Sequence, residues 1–269
     1  MMREKIWWRL RESPLLRKMS RLPLLSPLMK NASLLLLPAL SEKILEVRDG
    51  PGKGLHLEIN PRWQHNLWQG SYEPSADAIM EEHFMSGKTF YDVGGGLGFY
   101  SLVATRKGAN VITLEPDPQN FATIQRHARM NKLEGKFSLL QLAAYSHTGT
   151  LLLMPSPIDD GRGHGNSHAQ AVFGTDPKLC IEVNCTTLDD LARVNPPPNL
   201  VKIDVEGAEA DVFRGAEWLM RHVGPSILCE VHTTELGNEI LEILRQRNYQ
   251  GEWLEDESYT VRWLFARPK

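Results

Sequence analysis

The chain has 269 residues, 42% hydrophobic and 23% charged. That bounds it to one generous domain or two small ones and excludes a disordered tail protein, a collagen and a disulfide-stapled miniprotein. The formal net charge of −3 leaves no global basic field to hold nucleic acid, and the basic excess is confined to the first 48 residues, where ten Lys/Arg face four Glu.

Residues 1–42 read as an arm. Trp7, Trp8 and several leucines interleave with basic residues, and Pro14, Pro23, Pro27 and Pro38 permit only short helical turns. Such an arm packs on its own domain or on a partner subunit, or lies peripherally on a membrane surface. Its longest apolar run, Leu34–Leu40, contains Pro38 and falls far short of the roughly 20 residues a spanning helix needs. No signal-peptide cleavage pattern follows it. Cys180, Cys185 and Cys229 form no C-x-x-C pair, which points to a reducing compartment. The expected location is the cytoplasm.

Residues 43–269 read as one domain. Ile44–Arg48 and Leu55–Ile59 flank a Gly-Pro-rich turn and predict a strand–turn–strand unit. A helix follows at Ala76–Met85. Strands are then predicted at Thr89–Val93, Asn110–Glu115, Phe137–Ala143, Leu200–Asp204 and Ser226–Val231, and helices at Phe99–Lys107, Gln119–Asn131, Ala208–Met220 and Glu235–Gln246. This alternation predicts a doubly wound α/β fold with a mostly parallel sheet. It fails in an insertion at about 145–190, where Thr150–Met154 and Leu179–Val183 resemble strands around a Gly- and His-rich loop. Two final strand-like runs, Gly251–Leu254 and Thr260–Phe265, predict an antiparallel C-terminal edge.

The chemistry starts at Asp92-Val93-Gly94-Gly95-Gly96-Leu97-Gly98-Phe99, where a strand ends and a glycine loop opens a helix. Glycines let backbone approach a ligand closely, and a helix N-terminus offers free N–H groups. Glu115 ends the next strand, 21 residues after Gly94, where its carboxylate can accept from two ribose hydroxyls. Asp92 suits an ammonium better than a pyrophosphate, which it would repel. The glycines also depart from the G-x-G-x-x-G spacing of nicotinamide folds. These features select S-adenosylmethionine, with Asp92, Gly94, Gly96, Gly98 and Phe99 at its methionine end and Glu115 at the ribose. Adenine is expected between Pro116 and the Leu142–Ala144 region, which includes Ala143. Tyr72 and Glu73, upstream of the loop, are candidates for the wall of the cofactor site. Trp63 and Trp68 are read as core.

A second group of acids sits at the other strand ends: Asp204, Glu206 and Glu230, with His232 two residues beyond. Ligands of open α/β sheets lie beyond the carboxyl ends of strands, so these side chains should meet the acceptor in the same crevice. An alcohol needs a base near its proton, for which His232 is the first candidate and Asp204 the second. A divalent cation on Asp204 and Glu230 is possible but not favoured. Asn195-Pro196-Pro197-Pro198 precedes its strand and is read as a rigid linker. The Gly161–His168 loop is either a substrate lid or a solvated loop.

The strings Asp92–Gly98, Leu114-Glu115-Pro116-Asp117-Pro118, Lys202-Ile203-Asp204-Val205-Glu206-Gly207-Ala208-Glu209 and Leu228–His232 resemble the FkbM family of S-adenosylmethionine-dependent methyltransferases. Gly70–Pro74 and Leu264–Pro268 are similar too, so the resemblance covers about residues 45–268 and leaves out the arm. One departure is Gly95-Gly96, where the family often has Ala-Asn. The resemblance implies a class I methyltransferase fold and O-methylation of a hydroxyl on a sugar, lipid-linked glycan or secondary metabolite. The alternatives are an NAD-dependent oxidoreductase, which would use Glu115 in the same way, and a catalytically silent Rossmann-like binding protein.

Overall fold

The computed structural model describes residues 43–60, 64–71, 73–83, 86–155, 168–169, 179–254 and 262–269. The arm, Trp63, Tyr72 and Gly161–Ser167 lie outside the described residues.

The chain opens with an antiparallel hairpin, β1 (Lys43–Glu46) and β2 (His56–Ile59), followed by helices α1 (His65–Gln69) and α2 (Pro74–His83). The α/β alternation then begins: β3 (Thr89–Val93), α3 (Phe99–Arg106), β4 (Asn110–Leu114), α4 (Pro118–Met130) and β5 (Ser138–Leu140). A second set comprises β10 (Leu200–Ile203), α6 (Glu209–Arg214), α7 (Glu217–His222), β11 (Ser226–Val231), α8 (Thr234–Gln246), β12 (Tyr249–Trp253) and β13 (Arg262–Pro268). Between them lie β6 (Ala143–Ala144), β7 (Gly149–Met154), β8 (His168–Ala169), β9 (Ile181–Thr186) and α5 (Leu188–Val194).

The central sheet has the order β12-β13-β11-β10-β3-β4-β5. Pairs from β5 to β11 are parallel, and β13 runs antiparallel to both β11 and β12. The antiparallel edge therefore forms as expected, with the last strand inserted inside the one before it. Period-two alternation sends successive residues into two cores. Tyr91, Val93, Val201, Ile203, Ile227 and Cys229 face α5–α8, whereas Phe90, Val111, Leu200 and Leu228 face α2–α4 and the hairpin. Chain order reverses between β3 and β10, which makes their carboxyl ends the topological switch point.

Three local expectations differ. The predicted strand Phe137–Ala143 splits: β5 stays with β4, and β6 leaves to join β9 in a separate sheet of order β6-β9-β7-β8. The predicted helix Ala208–Met220 breaks at Gly215, where a Cβ would overlap the Tyr145 carbonyl arriving from the insertion. The new helix start at α7 is capped from outside, since Asp189 accepts from the Trp218 and Leu219 N–H groups at 2.9 and 2.8 Å. Finally, α5 is a helix with no counterpart among the expected elements. Thr187 caps it by accepting from Asp190 N–H at 2.9 Å.

The closest backbone approach locks the switch point. Gly94 has φ +80°, and a Cβ there would come far inside van der Waals contact with the Asp204 carbonyl oxygen. Gly94→Ala therefore combines left-handed strain with a backbone clash and should cost more than about 2 kcal/mol. Denaturant unfolding checks this, and an unchanged midpoint would contradict the packing.

Candidate active site

The switch-point crevice holds a cavity of about 260 Å³. Its floor is backbone and acid: Gly94 and Gly96 from the glycine loop, Glu115 after β4, and Asp204, Glu206 and Glu230 from the ends of β10 and β11. Glu73 closes one side, and Pro116 and Ala143 line the opposite end. Leu151 and Leu153 of β7 add an apolar wall, so the insertion contributes to the cavity.

At the Pro116 end, Glu115 is 4% exposed. Its Oε2 accepts from Gly96 N–H at 2.7 Å and its Oε1 from Asp117 N–H at 3.0 Å. Burial pushes this carboxyl up to about 7 against the pull of those two N–H groups. Asp117 then caps α4, accepting from Gln119 and Asn120 N–H groups with Pro118 at the first helical position.

The other end is organised by a lysine whose role the sequence pattern does not announce. Lys202 is 3% exposed. Its ammonium donates to the Gly94 carbonyl at 2.9 Å and to Asp204 Oδ2 at 3.2 Å, and stands 3.5 Å from Asp92 Oδ1. Burial opposes its charge, but Asp204, Asp92 and Glu73 overcome this and raise its pKa. The signal was available, since a lysine in the otherwise apolar buried run Leu200–Ile203 needs a buried counter-charge. In-register pairing of Lys202 with Asp92 across β3 and β10 supplies it.

That pairing redirects Asp92. Expected at the cofactor's methionine end, it is 1% exposed and does not line the cavity: its Oδ2 accepts from Ser101 Oγ at 2.5 Å, and its other oxygen faces Lys202. Gly98 and Phe99 also lie off the cavity. Gly98 starts α3 at φ +78° against Ile124, and the Phe99 ring packs under Gly52 of the hairpin turn. All three shape the glycine loop from behind.

The acids at the strand ends differ sharply. Burial works against ionisation of Asp204, but Lys202 and His232 hold its pKa below the usual carboxylate range. Burial and the neighbouring Asp204 charge hold Glu230 well above it. Asp204 Oδ1 is enclosed, and the Glu230 carboxyl stands against Asp204 as a hydrogen-bond partner. His232 does not line the cavity. Its Nδ1 is 2.8 Å from Glu209 Oε1, and its Nε2 is 3.1 Å from Glu206 Oε2 and 4.0 Å from Asp204 Oδ1. Asp204, Glu230 and His232 bring three donor atoms within 4.8 Å of one another, but the Lys202 ammonium already supplies positive charge to that Asp204 carboxylate.

A family model described as the methyltransferase FkbM domain matches residues 92–250, more than half of the chain. The chain belongs to the FkbM methyltransferase domain family. It is 25% identical over 176 residues to the hexuronic acid methyltransferase AglP of Haloferax volcanii, covering 65% of this chain and 68% of that one. It is 28% identical over 204 residues to methyltransferase sdnD of Sordaria araneosa, covering 62% and 77%. Among solved structures, the FkbM methyltransferase of Methylobacillus flagellatus aligns with a TM-score of 0.48 at 19% identity, over 67% of this chain and 43% of that chain. The nicotinamide and silent-binder alternatives find no support in these relatives. No helix among the described residues is long and apolar enough to cross a membrane.

The Glu73 side of this FkbM-domain site carries a pH-sensitive element. Tyr100 Oη lies 2.7 Å from Glu73 Oε2 and 3.1 Å from Asp77 Oδ1. One hydroxyl proton serves two carboxyls, so a second proton satisfies both contacts. Burial accordingly raises Glu73 to about 7 and Asp77 to about 6. A carboxyl with a raised folded pKa favours folding below its unfolded value, and that advantage fades as pH rises through the folded one. Glu73→Gln should therefore match the wild type near pH 4.5 and exceed it in stability above pH 7, by about 1–3 kcal/mol. Urea unfolding at pH 5 and pH 8 reads the difference, and a gain independent of pH would contradict the assignment.

Proposed function

We propose that the chain is an S-adenosylmethionine-dependent O-methyltransferase acting on a hydroxyl of a sugar, a lipid-linked glycan or a secondary metabolite. The observation that carries the reading is the set of strand-end carboxyls Asp204, Glu206 and Glu230, which line one cavity with the glycine loop and Glu115. An acceptor hydroxyl can donate to a carboxylate placed there. The name of the Haloferax relative, a hexuronic acid methyltransferase, supports a sugar acceptor.

The residues present fit the cofactor. Gly94 and Gly96 offer backbone without side chains, and Glu115 sets a carboxylate at the Pro116–Ala143 end for two ribose hydroxyls. Asp92 contributes indirectly, by fixing the Lys202 ammonium and Ser101 behind the glycine loop. When bound, S-adenosylmethionine supplies an electrophilic methyl group. This chain's part is to orient the hydroxyl and to accept its proton at the Asp204 carboxylate. Lys202 holds Asp204 ionised, and the protonated neighbour Glu230 keeps a second negative charge out of the site. His232 is a poor base in this arrangement because both ring nitrogens already face carboxylates. A divalent cation is not favoured as part of the reaction. In this reading the basic arm, residues 1–42, serves membrane or subunit contact through its excess of Lys and Arg.

Calorimetry should show S-adenosylmethionine and S-adenosylhomocysteine binding, with NAD much weaker. Glu115→Ala should weaken S-adenosylhomocysteine by roughly 1–3 kcal/mol, the cost of a lost charge-assisted pair. Tighter binding of NAD than of S-adenosylhomocysteine would sink the cofactor reading.

Asp204→Asn separates binding from chemistry. It should leave S-adenosylhomocysteine affinity within a few-fold while lowering labelled-methyl transfer into a cell extract by about 10²–10⁴-fold. Wild-type transfer by this variant would remove Asp204 as the base.

A further inference from the structure

We propose that His232 is a fixed cationic clamp, an imidazolium that ties Glu206 to Glu209 and so holds the Glu206 carboxylate at the acceptor end of the cavity. What the cavity is for rests on the methyl-transfer reading above; the clamp itself rests on geometry.

Glu206 is the residue that needs holding. Its φ of 55° lies in the left-handed region, which a non-glycine residue adopts only when its surroundings fix it there. The following Gly207 has φ 101°, and its N–H donates to Glu209 Oε1 at 2.9 Å. That same oxygen faces His232 Nδ1 at 2.8 Å. On the opposite edge of the ring, Nε2 reaches Glu206 Oε2 at 3.1 Å. The imidazole thus closes a loop across the turn from its strained residue to its buried anchor.

Proton counting fixes the charge of the ring. A neutral imidazole has one N–H and one lone pair, and a lone pair facing a carboxylate is repelled. Two ionised carboxylates, one on each nitrogen, are both satisfied only when both nitrogens carry protons. Glu209 is fully buried, and a buried carboxylate needs a neighbouring cation. The other charged groups facing this region agree in sign. Asp204 Oδ1 lies 4.0 Å from Nε2, and Glu230 beside Asp204 is held protonated and adds no charge. Lys202 touches the other oxygen of Asp204, so it does not take the place of His232. Burial penalises the charge on the ring, but Glu206 and Glu209 lift His232 to about 11.

A base needs the lone pair that this arrangement removes. His232 is therefore a positioning residue, and the proton of the acceptor goes elsewhere.

The test uses the full chain with ¹⁵N-labelled histidine, with His232 assigned by comparison with His232→Gln. Both ring nitrogens of His232 should stay protonated from pH 6 to pH 9. Titration near pH 6.5, or a neutral tautomer at pH 8, would overturn the clamp. Glu206→Gln removes one of the two carboxylates and should lower the His232 midpoint by at least one pH unit; an unchanged midpoint would break the link between the two residues. A third readout is stability. A raised histidine pKa contributes fully below about 6.5 and loses that contribution as pH climbs towards 11, so the stability margin over His232→Gln should shrink across this window. A constant margin would count against the clamp. None of these measurements needs acceptor or cofactor. Their failure leaves the methyl-transfer reading standing, and failure of S-adenosylhomocysteine binding leaves the clamp standing.

Discussion

A single buried ammonium organises this molecule's crevice. Lys202 has three N–H donors, and three oxygens surround it: the Gly94 carbonyl, Asp204 Oδ2 and Asp92 Oδ1. Taking a lysine out of water costs several kcal/mol, and only a complete set of partners offsets that. The requirement couples two strands that the chain supplies more than 100 residues apart. It fixes the register of β3 against β10 and sets the glycine loop over the end of β10.

The acids around that ammonium divide by what each one touches. Asp204, against Lys202, is held ionised; Glu230, which faces Asp204 and has burial working against it, is held protonated. Glu73 and Asp77 share one tyrosine hydroxyl and sit near neutrality. Carboxyl groups of one chemical type therefore occupy different protonation states within one small cavity. That separation sets one ionised carboxylate beside carboxyls that add no further negative charge.

The insertion shapes the same crevice from the other side. Its strands form their own sheet, yet Leu151 and Leu153 face the cavity and the Tyr145 carbonyl breaks the α6–α7 helix pair at Gly215. Asp189, at the start of α5, caps the helix that follows the break. The apolar wall and the acidic floor thus come from separate sheets, one of them the doubly wound scaffold and the other an addition to it.

Much of this was legible in the residues. Alternating apolar runs and glycine punctuation determined the parallel sheet, its antiparallel edge and the strand-end positions of Glu115, Asp204 and Glu230, because backbone periodicity and turn chemistry are local properties. The Lys-Ile-Asp-Val-Glu-Gly-Ala-Glu string identified the family. What the string could not state is which way each carboxylate turns. Asp92, expected at the cofactor, is buried against Lys202; His232, expected as a base, faces two carboxylates; Gly98 and Phe99 pack behind the glycine loop. Each of these outcomes depends on contacts between residues distant in sequence, such as Asp92 with Lys202 across adjacent strands and His232 with Glu206 across a turn. A charge's role is set by its neighbours in space, so the sequence alone determined where the ionisable groups stand along the chain, and only the tertiary structure decided which of them carry protons and which face the cavity.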